Sequence, residues 1–146
     1  MPDWINVPDN IEEYQGFVYY IYNLVEDKYY IGKKTFWSKR TLPPLKGRTK
    51  EEKARRAKLK GQKRHIVFES DWKDYWGSSN NLLDDIERLG VNSFKREILK
   101  CYKNKWDCAY YELIEQIEQK VLFDDKSYNE IVNIRLRKRK GKKNEN

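Results

Sequence analysis

Long apolar runs are missing from these 146 residues. No stretch approaches the roughly 20 apolar residues that a bilayer-spanning helix needs. The start, MPDWINVPDN, has neither the basic beginning nor the apolar stretch of a secretory signal. The expectation is a cytoplasmic protein with no membrane partner. Cysteine and histidine are also scarce. Cys101, Cys108 and His65 are too few and too badly spaced for a zinc site. The six-residue gap between the cysteines does not demand a disulfide in a reduced compartment, so both read as buried thiols. Apolar residues make up only 38% of the chain and the mean hydropathy is −1.03, against 37% charged residues. Such a chain supports one compact domain and little more. Aromatics are the exception: 5 Trp, 11 Tyr and 5 Phe exclude a disordered polar chain.

The positive charge is segregated. Residues 33–66 hold 14 Lys/Arg against two Glu, and residues 135–146 hold seven against one. Residues 1–32 hold one against six, and residues 67–134 nine against 14. Concentrated basic charge suits a polyanion, because each phosphate neutralised releases condensed counterions and gives sequence-independent affinity. Nucleic acid is the expected partner, and the alternative is a solvated basic face with a tail that confers solubility.

FVYYIYNLV and KYYIGKKTF are β-branched and aromatic, and Glu26-Asp27 between them reads as the turn of an antiparallel hairpin. Pro43, Pro44 and Gly47 make residues 38–50 a loop. Thr49 with Glu52 is a capping box for a helix through EEKARRAKLK, which has little to bury. Leu82, Leu83, Ile86 and Leu89 mark one face of a short helix closed by Gly90. FKREILKCY reads as a third strand. In residues 107–122, Tyr110, Leu113, Ile114, Ile117 and Val121 recur at helical spacing and predict the core stripe of a longer helix. The order strand, strand, helix, helix, strand, helix predicts an α+β domain with a small antiparallel sheet.

Phe17-Val18-Tyr19, ten residues, then Tyr30-Ile31-Gly32 resembles the signature of the GIY-YIG nuclease superfamily. The likeness continues through Arg40, ten residues after the second tyrosine, then Tyr75-Trp76-Gly77-Ser78-Ser79, a helix carrying a glutamate, and Tyr128-Asn129. It covers about residues 16–134 and is greatest to the endonucleases carried by bacteriophages. Phe17 replaces the first glycine of the signature, with Gly16 one place earlier, a change expected to affect packing more than chemistry. The resemblance implies a three-stranded antiparallel sheet flanked by helices, with an N-terminal extension at 1–15, a nuclease domain at 16–134 and a basic insertion at about 41–69. A basic tail occupies 135–146.

The resemblance also implies a reaction, endonucleolytic hydrolysis of phosphodiesters in DNA. It needs an activated water, a cation against the charge on the phosphoryl oxygens and help for the leaving oxygen. By analogy Tyr19 is the general base or a relay for the water's proton. A phenol with an ordinary pKa near 10 needs a cation beside it for that task, which Lys33 or Lys34 would supply. Tyr30 would position phosphate or water, and Arg40 would grip two phosphate oxygens. Glu112, or Glu115 as the alternative, would hold one Mg²⁺ or Mn²⁺. Both glutamates lie off the apolar stripe, so periodicity does not separate a metal ligand from a surface acid. Asn129 would orient groups around the metal. No small-molecule cofactor is expected. Tyr20, Tyr22 and Tyr29 have no counterpart in the signature and read as packing or surface residues.

Lys34, Lys39, Arg48, Arg55, Arg56, Lys60, Lys63, Arg64 and His65 in and around the basic insertion are candidate DNA contacts. Arg137 and Arg139 would extend them as a flexible second anchor. With no visible zinc finger or helix-turn-helix, weakly specific cutting or nicking of duplex or branched DNA is expected, as a monomer or a homodimer on DNA. The competing class is a non-catalytic DNA- or RNA-binding module that keeps the fold.

Overall fold

The computed structural model describes residues 2–42, 64–132 and 135–139. The expected helix at 51–60 and the candidate contacts Arg48, Arg55, Arg56, Lys60 and Lys63 lie outside them. The chain forms two compact units, one of residues 1–36 and 70–146 and one of residues 37–69. Among the described residues no helix is long and apolar enough to cross a membrane.

The larger unit is built on β1 (Trp4–Ile5), β2 (Gly16–Asn23), β3 (Lys28–Thr35) and β6 (Phe94–Tyr102), in the order β1-β6-β2-β3. The expected antiparallel trio is present as β6-β2-β3, with Tyr19 opposite Gly32 and Tyr20 opposite Ile31. The short strand β1 adds a parallel edge, pairing Trp4 with Arg96. Helix α1 (Asn80–Leu89) is capped at its start by the Ser79 hydroxyl, which accepts from the Leu82 N–H, and ends at Gly90 with φ of 88°. Helix α2 (Lys105–Glu118) is capped by the Asn104 side chain, which accepts from the Asp107 N–H. The smaller unit is the antiparallel pair β4 (Trp37–Leu42) and β5 (Arg64–Glu69). Residues 38–42 were expected as loop. They belong instead to β4, and residues 43–50 of the expected loop lie outside the described residues.

Side chains of β2 alternate between two faces. Phe17, Tyr19 and Ile21 face one way, and Phe17 packs edge-on against Trp4 and Trp72 and beside Phe36. Phe17 is therefore a core residue, as the replacement of a glycine there suggested. On the other face Val18 and Tyr20 join Ile31, Tyr102, Cys108 and Val121. Arg96 ties the first face together. It is 1% exposed, its guanidinium lies between the rings of Trp4 and Trp76 at 4.7 and 4.1 Å, and it donates to the carbonyls of Pro2, Lys73 and Tyr75.

The stripe expected to bury α2 is inward only in part: Tyr110 is 37% and Ile117 58% exposed, Leu113 and Ile114 are half-buried, and Val121, beyond the end of the helix, is buried. The inward positions are Cys108, Tyr111, Glu112, Glu115 and Gln116. A polar face turns inward because it meets a strand edge, whose peptide groups need partners. Strand β3 is that edge. The Tyr29 N–H donates to the Lys126 carbonyl, and the Tyr128 N–H to the Tyr29 carbonyl. The Ile31 N–H donates to Asn129 Oδ1 at 2.9 Å, and the Ile31 carbonyl accepts from Asn129 Nδ2 at 2.8 Å and Gln116 Nε2 at 3.1 Å. The Lys33 N–H donates to the Glu112 carboxylate. The spacings agree: four residues of helix rise about 6 Å, and two residues of strand span about 6.6 Å. Gln116 and Glu112 can therefore serve Ile31 and Lys33 in turn.

Truncating Asn129 removes both of its bonds to Ile31 and strands a buried peptide N–H, a loss of about 2 kcal/mol. Asn129→Ala is expected to lower the urea midpoint without changing the slope of the transition, as read by fluorescence of the buried tryptophans.

Candidate functional site

The signature tyrosines come together across the β2–β3 pair. The ring of Tyr19 lies over Gly32, where an added Cβ would stand 2.5 Å from its hydroxyl and 2.9 Å from Tyr30 Cε2. Glycine is needed here because the two rings fill the place of a side chain. The rings of Tyr19 and Tyr30 have centroids 6.2 Å apart, and Tyr75 meets Tyr19 edge-on at 6.1 Å. The Tyr30 and Ser78 hydroxyls share a hydrogen bond of 3.1 Å. Gly77 places this segment, with φ of 88° and a Cβ position already 3.2 Å from Leu82.

Tyr75 and Ser78 are members of this cluster to which the sequence reading assigned no task. The signal was there in Tyr-Trp-Gly-Ser-Ser, although nothing in the sequence told that Tyr75 would hydrogen-bond to Tyr19.

Glu112 lies within electrostatic reach of both signature phenols. Its carboxyl is pushed up to about 7, chiefly by burial, with the Lys33 ammonium and the Lys33 N–H acting in the opposite sense. The alternative, Glu115, is one turn further and accepts from the Tyr20 hydroxyl at 2.6 Å, on the other face of β2. Tyr20 and Tyr29 pack and hydrogen-bond on that face, the latter through Asp124 at 2.9 Å.

Tyr19 is 1% exposed, and its phenol is pushed well above its usual value. Burial is the main cause, followed by the charges that Tyr75 and Tyr30 would carry, a hydrogen bond with Tyr75, and Glu112. The cation expected to lower it does not do so. Lys34 is spent on an ion pair with Asp71 at 2.6 Å and lies 4.2 Å from the centre of the Tyr75 ring. Lys33 is exposed, and its charge acts on Glu112 and Cys108. At neutral pH Tyr19 is a protonated hydroxyl. Tyr30 is also raised by burial, with the Ser78 hydrogen bond partly offsetting it.

Asn129 is buried against Ile31, with the Ser127 hydroxyl also donating to its Oδ1 at 3.3 Å. It fixes the main chain between Tyr30 and Gly32, and reaches the cluster through that strand. Arg40, Lys39, Arg64 and His65 all belong to the β4–β5 unit. Arg40, Lys39 and His65 are exposed there, with His65 Nδ1 3.3 Å from the Thr41 hydroxyl. Of the tail, Arg137 and Arg139 dock on the start of α2. The Trp106 indole donates to the Arg137 carbonyl at 2.8 Å, and Arg139 pairs with buried Asp107 at 3.5 Å.

Among the described residues no three His, Cys, Asp or Glu side chains gather into a metal cluster. The donor set instead offers a lone, largely buried carboxylate with a peptide N–H on it and phenol hydroxyls nearby. That suits Mg²⁺, which keeps its waters and takes substrate phosphate oxygens alongside one or two carboxylates. It does not suit a structural zinc.

Residues 4–133 match the family described as "Putative endonuclease segE, GIY-YIG domain". No curated protein and no solved structure matches the chain.

Two outcomes follow from the burial of this cluster. A Cβ at residue 32 has no room beside the Tyr19 and Tyr30 rings, so Gly32→Ala should cost about 1–3 kcal/mol and displace Tyr19, read as a lower denaturation midpoint with altered tyrosine fluorescence. Glu112 binds its proton more tightly folded than unfolded, so its contribution to stability is full below its unfolded value near 4.5 and falls as pH rises to about 7. In EDTA the Tm of Glu112→Gln relative to wild type should therefore climb between those limits and level off above. A constant difference across that range would show that the carboxyl is not raised.

Proposed function

The chain belongs to the GIY-YIG endonuclease family, and from that premise we propose that it is a metal-dependent DNA endonuclease. It hydrolyses phosphodiester bonds by nicking or cutting, with limited sequence specificity. The observation that carries this reading is the meeting of Tyr19, Tyr30 and a proton-retaining Glu112 at one edge of β3. Segregated positive charge in residues 33–66 and 135–146 supports a polyanionic substrate.

Glu112 would hold the Mg²⁺ or Mn²⁺ ion in this reading, on the carboxylate that also accepts from the Lys33 N–H. When bound, the ion supplies positive charge against the phosphoryl oxygens as charge develops on them. The remaining work belongs to the chain. Tyr30, paired with Ser78, is the less buried of the two phenols and holds the attacking water toward phosphorus. Tyr19 stands behind it and acts as the relay rather than as a pre-formed base, since its phenol keeps its proton at neutral pH. The water's proton passes to the Tyr19 oxygen as Tyr19's own proton moves along its hydrogen bond to Tyr75, and the half-buried Tyr75 hydroxyl releases its proton to solvent. Lys33 supplies a cation beside Glu112. Arg40 is assigned to the phosphate oxygens by its spacing in the motif.

Supercoiled plasmid incubated with purified protein and Mg²⁺ should be nicked or linearised, and EDTA should abolish this. Tyr19→Phe and Tyr30→Phe should each slow cleavage by about 10²- to 10³-fold, and Glu112→Gln by at least as much, with folding checked by circular dichroism. Plasmid that is retarded in a gel by all four proteins and cut by none would replace this reading with that of a binding module.

A further inference from the structure

The start of α2 borders a cavity of about 370 Å³ lined by Gln15, Lys33, Lys34, Thr35, Lys105 and Cys108. It adjoins the tyrosine–glutamate cluster through Lys33, whose N–H is bonded to Glu112 and whose ammonium acts on Glu112 and Cys108. The Lys34 ammonium is held by Asp71. Lys33 and Lys105 have no carboxylate within ion-pair distance among the described residues, and both are exposed. Two exposed ammonium groups that stand in no ion pair among those residues, on one concave wall with Thr35 beside them, select an anion with several oxygen acceptors.

The surroundings extend the same charge. Residues 135–139 dock on Trp106, the neighbour of Lys105, through the Arg137 carbonyl. The Arg139 guanidinium lies 5.9 Å from the Trp106 ring centre and is paired with Asp107, which is 0% exposed. Arg139 is thus the anchor, and the side chains of Arg137 and Lys138 remain exposed.

We propose that the Lys33–Lys105 cavity binds a backbone phosphate of duplex DNA next to the one that is cleaved, and that the docked segment 135–139 continues that track. The inference rests on the nuclease reading and adds to it a substrate-positioning residue, Lys105. An ammonium is a point charge without the planar fork that reads base edges or grips two oxygens at once, so this subsite fixes the register of the strand and not its sequence.

The test uses the full chain and a fluorescein-labelled duplex in EDTA, so that nothing is cut, with anisotropy followed over a series of KCl concentrations. For Lys105→Ala the slope of log affinity against log salt should be shallower by about one phosphate contact. The loss should be equal for duplexes of unrelated sequence, and Lys105→Arg should restore most of it. In cleavage assays with Mg²⁺, Lys105→Ala should raise KM far more than it lowers kcat. A wild type that binds and cuts DNA while Lys105→Ala keeps the same slope and affinity overturns the subsite and leaves the nuclease reading intact. A loss confined to kcat overturns it as well, since a positioning contact acts on binding. A wild type that binds no DNA at all overturns both readings.

Discussion

The outward peptide groups of β3 are the constraint on which the rest of this molecule depends. An edge strand buried under a helix loses the water that would satisfy its N–H and C=O groups, and each one left alone costs on the order of 1–3 kcal/mol. Here the groups of Tyr29, Ile31 and Lys33 are met in sequence by a neighbouring segment, a pair of side-chain amides and a carboxylate. Glu112 and Gln116 are therefore polar and inward for the same reason, although only one of them has a chemical task in the proposed reaction. The strand that carries Tyr30 is fixed by the helix that carries Glu112, so stability and site geometry share the same atoms.

Burial, more than neighbouring charge, decides the protonation of the cluster. It is the largest cause of the upward shift at Tyr19, Tyr30 and Glu112 alike. Lys33 pulls Glu112 down and does not overcome burial, since an exposed ammonium is screened by water. Three acidic groups that all resist ionising, held together beside one exposed lysine, gain from any additional cation that enters. This is a physical reason, independent of the family, why the proposed divalent ion would suit Glu112. It also explains why a lysine adjacent in sequence to the tyrosine motif was a poor guide to acidity: Lys34 points at Asp71 and Tyr75, and Lys33 toward Glu112 and Cys108.

Much of the frame was legible in the sequence where local rules and packing agree. The aromatic, β-branched runs about Tyr19 and Tyr30 became paired strands, FKREILKCY became β6, and Gly90 closed α1. Legibility failed where a long-range partner decides. Trp4–Ile5 is two residues long and owes its strand pairing to β6 and its burial to Arg96. RHIVFE needs Trp37–Leu42 across from it, and neither run alternates cleanly enough to announce the other. Helix α2 reverses the usual rule, because hydrophobic periodicity assumes an apolar surface opposite and β3 offers an edge of peptide groups. Tyr110 and Ile117 of the expected stripe end in solvent while Val121 is buried, and the informative residues were Glu112 and Gln116, four apart. Asn129 was legible as a site candidate, while the bonds of its amide to Ile31 were not, because they depend on a strand far away in sequence.

The placement of charge then sets how a polyanion would meet this protein. The segment 67–134, which supplies both helices and β6, carries more acid than base, and so does the segment before Lys33. A nucleic-acid backbone approaching that body is opposed at distances beyond about 8 Å only as far as salt permits, so long-range attraction must come from the basic segments attached to it. Contact distance is a different matter, because phosphates brought close to Glu112 meet a carboxyl and two phenols. Local cations are needed there however strong the distant ones are. Lys33, Lys105 and the docked residues 135–139 are the ones the larger unit itself supplies. Arg139 illustrates how they are kept in place: its charge is given up to buried Asp107 and the Trp106 ring, while the side chains of Arg137 and Lys138 remain exposed.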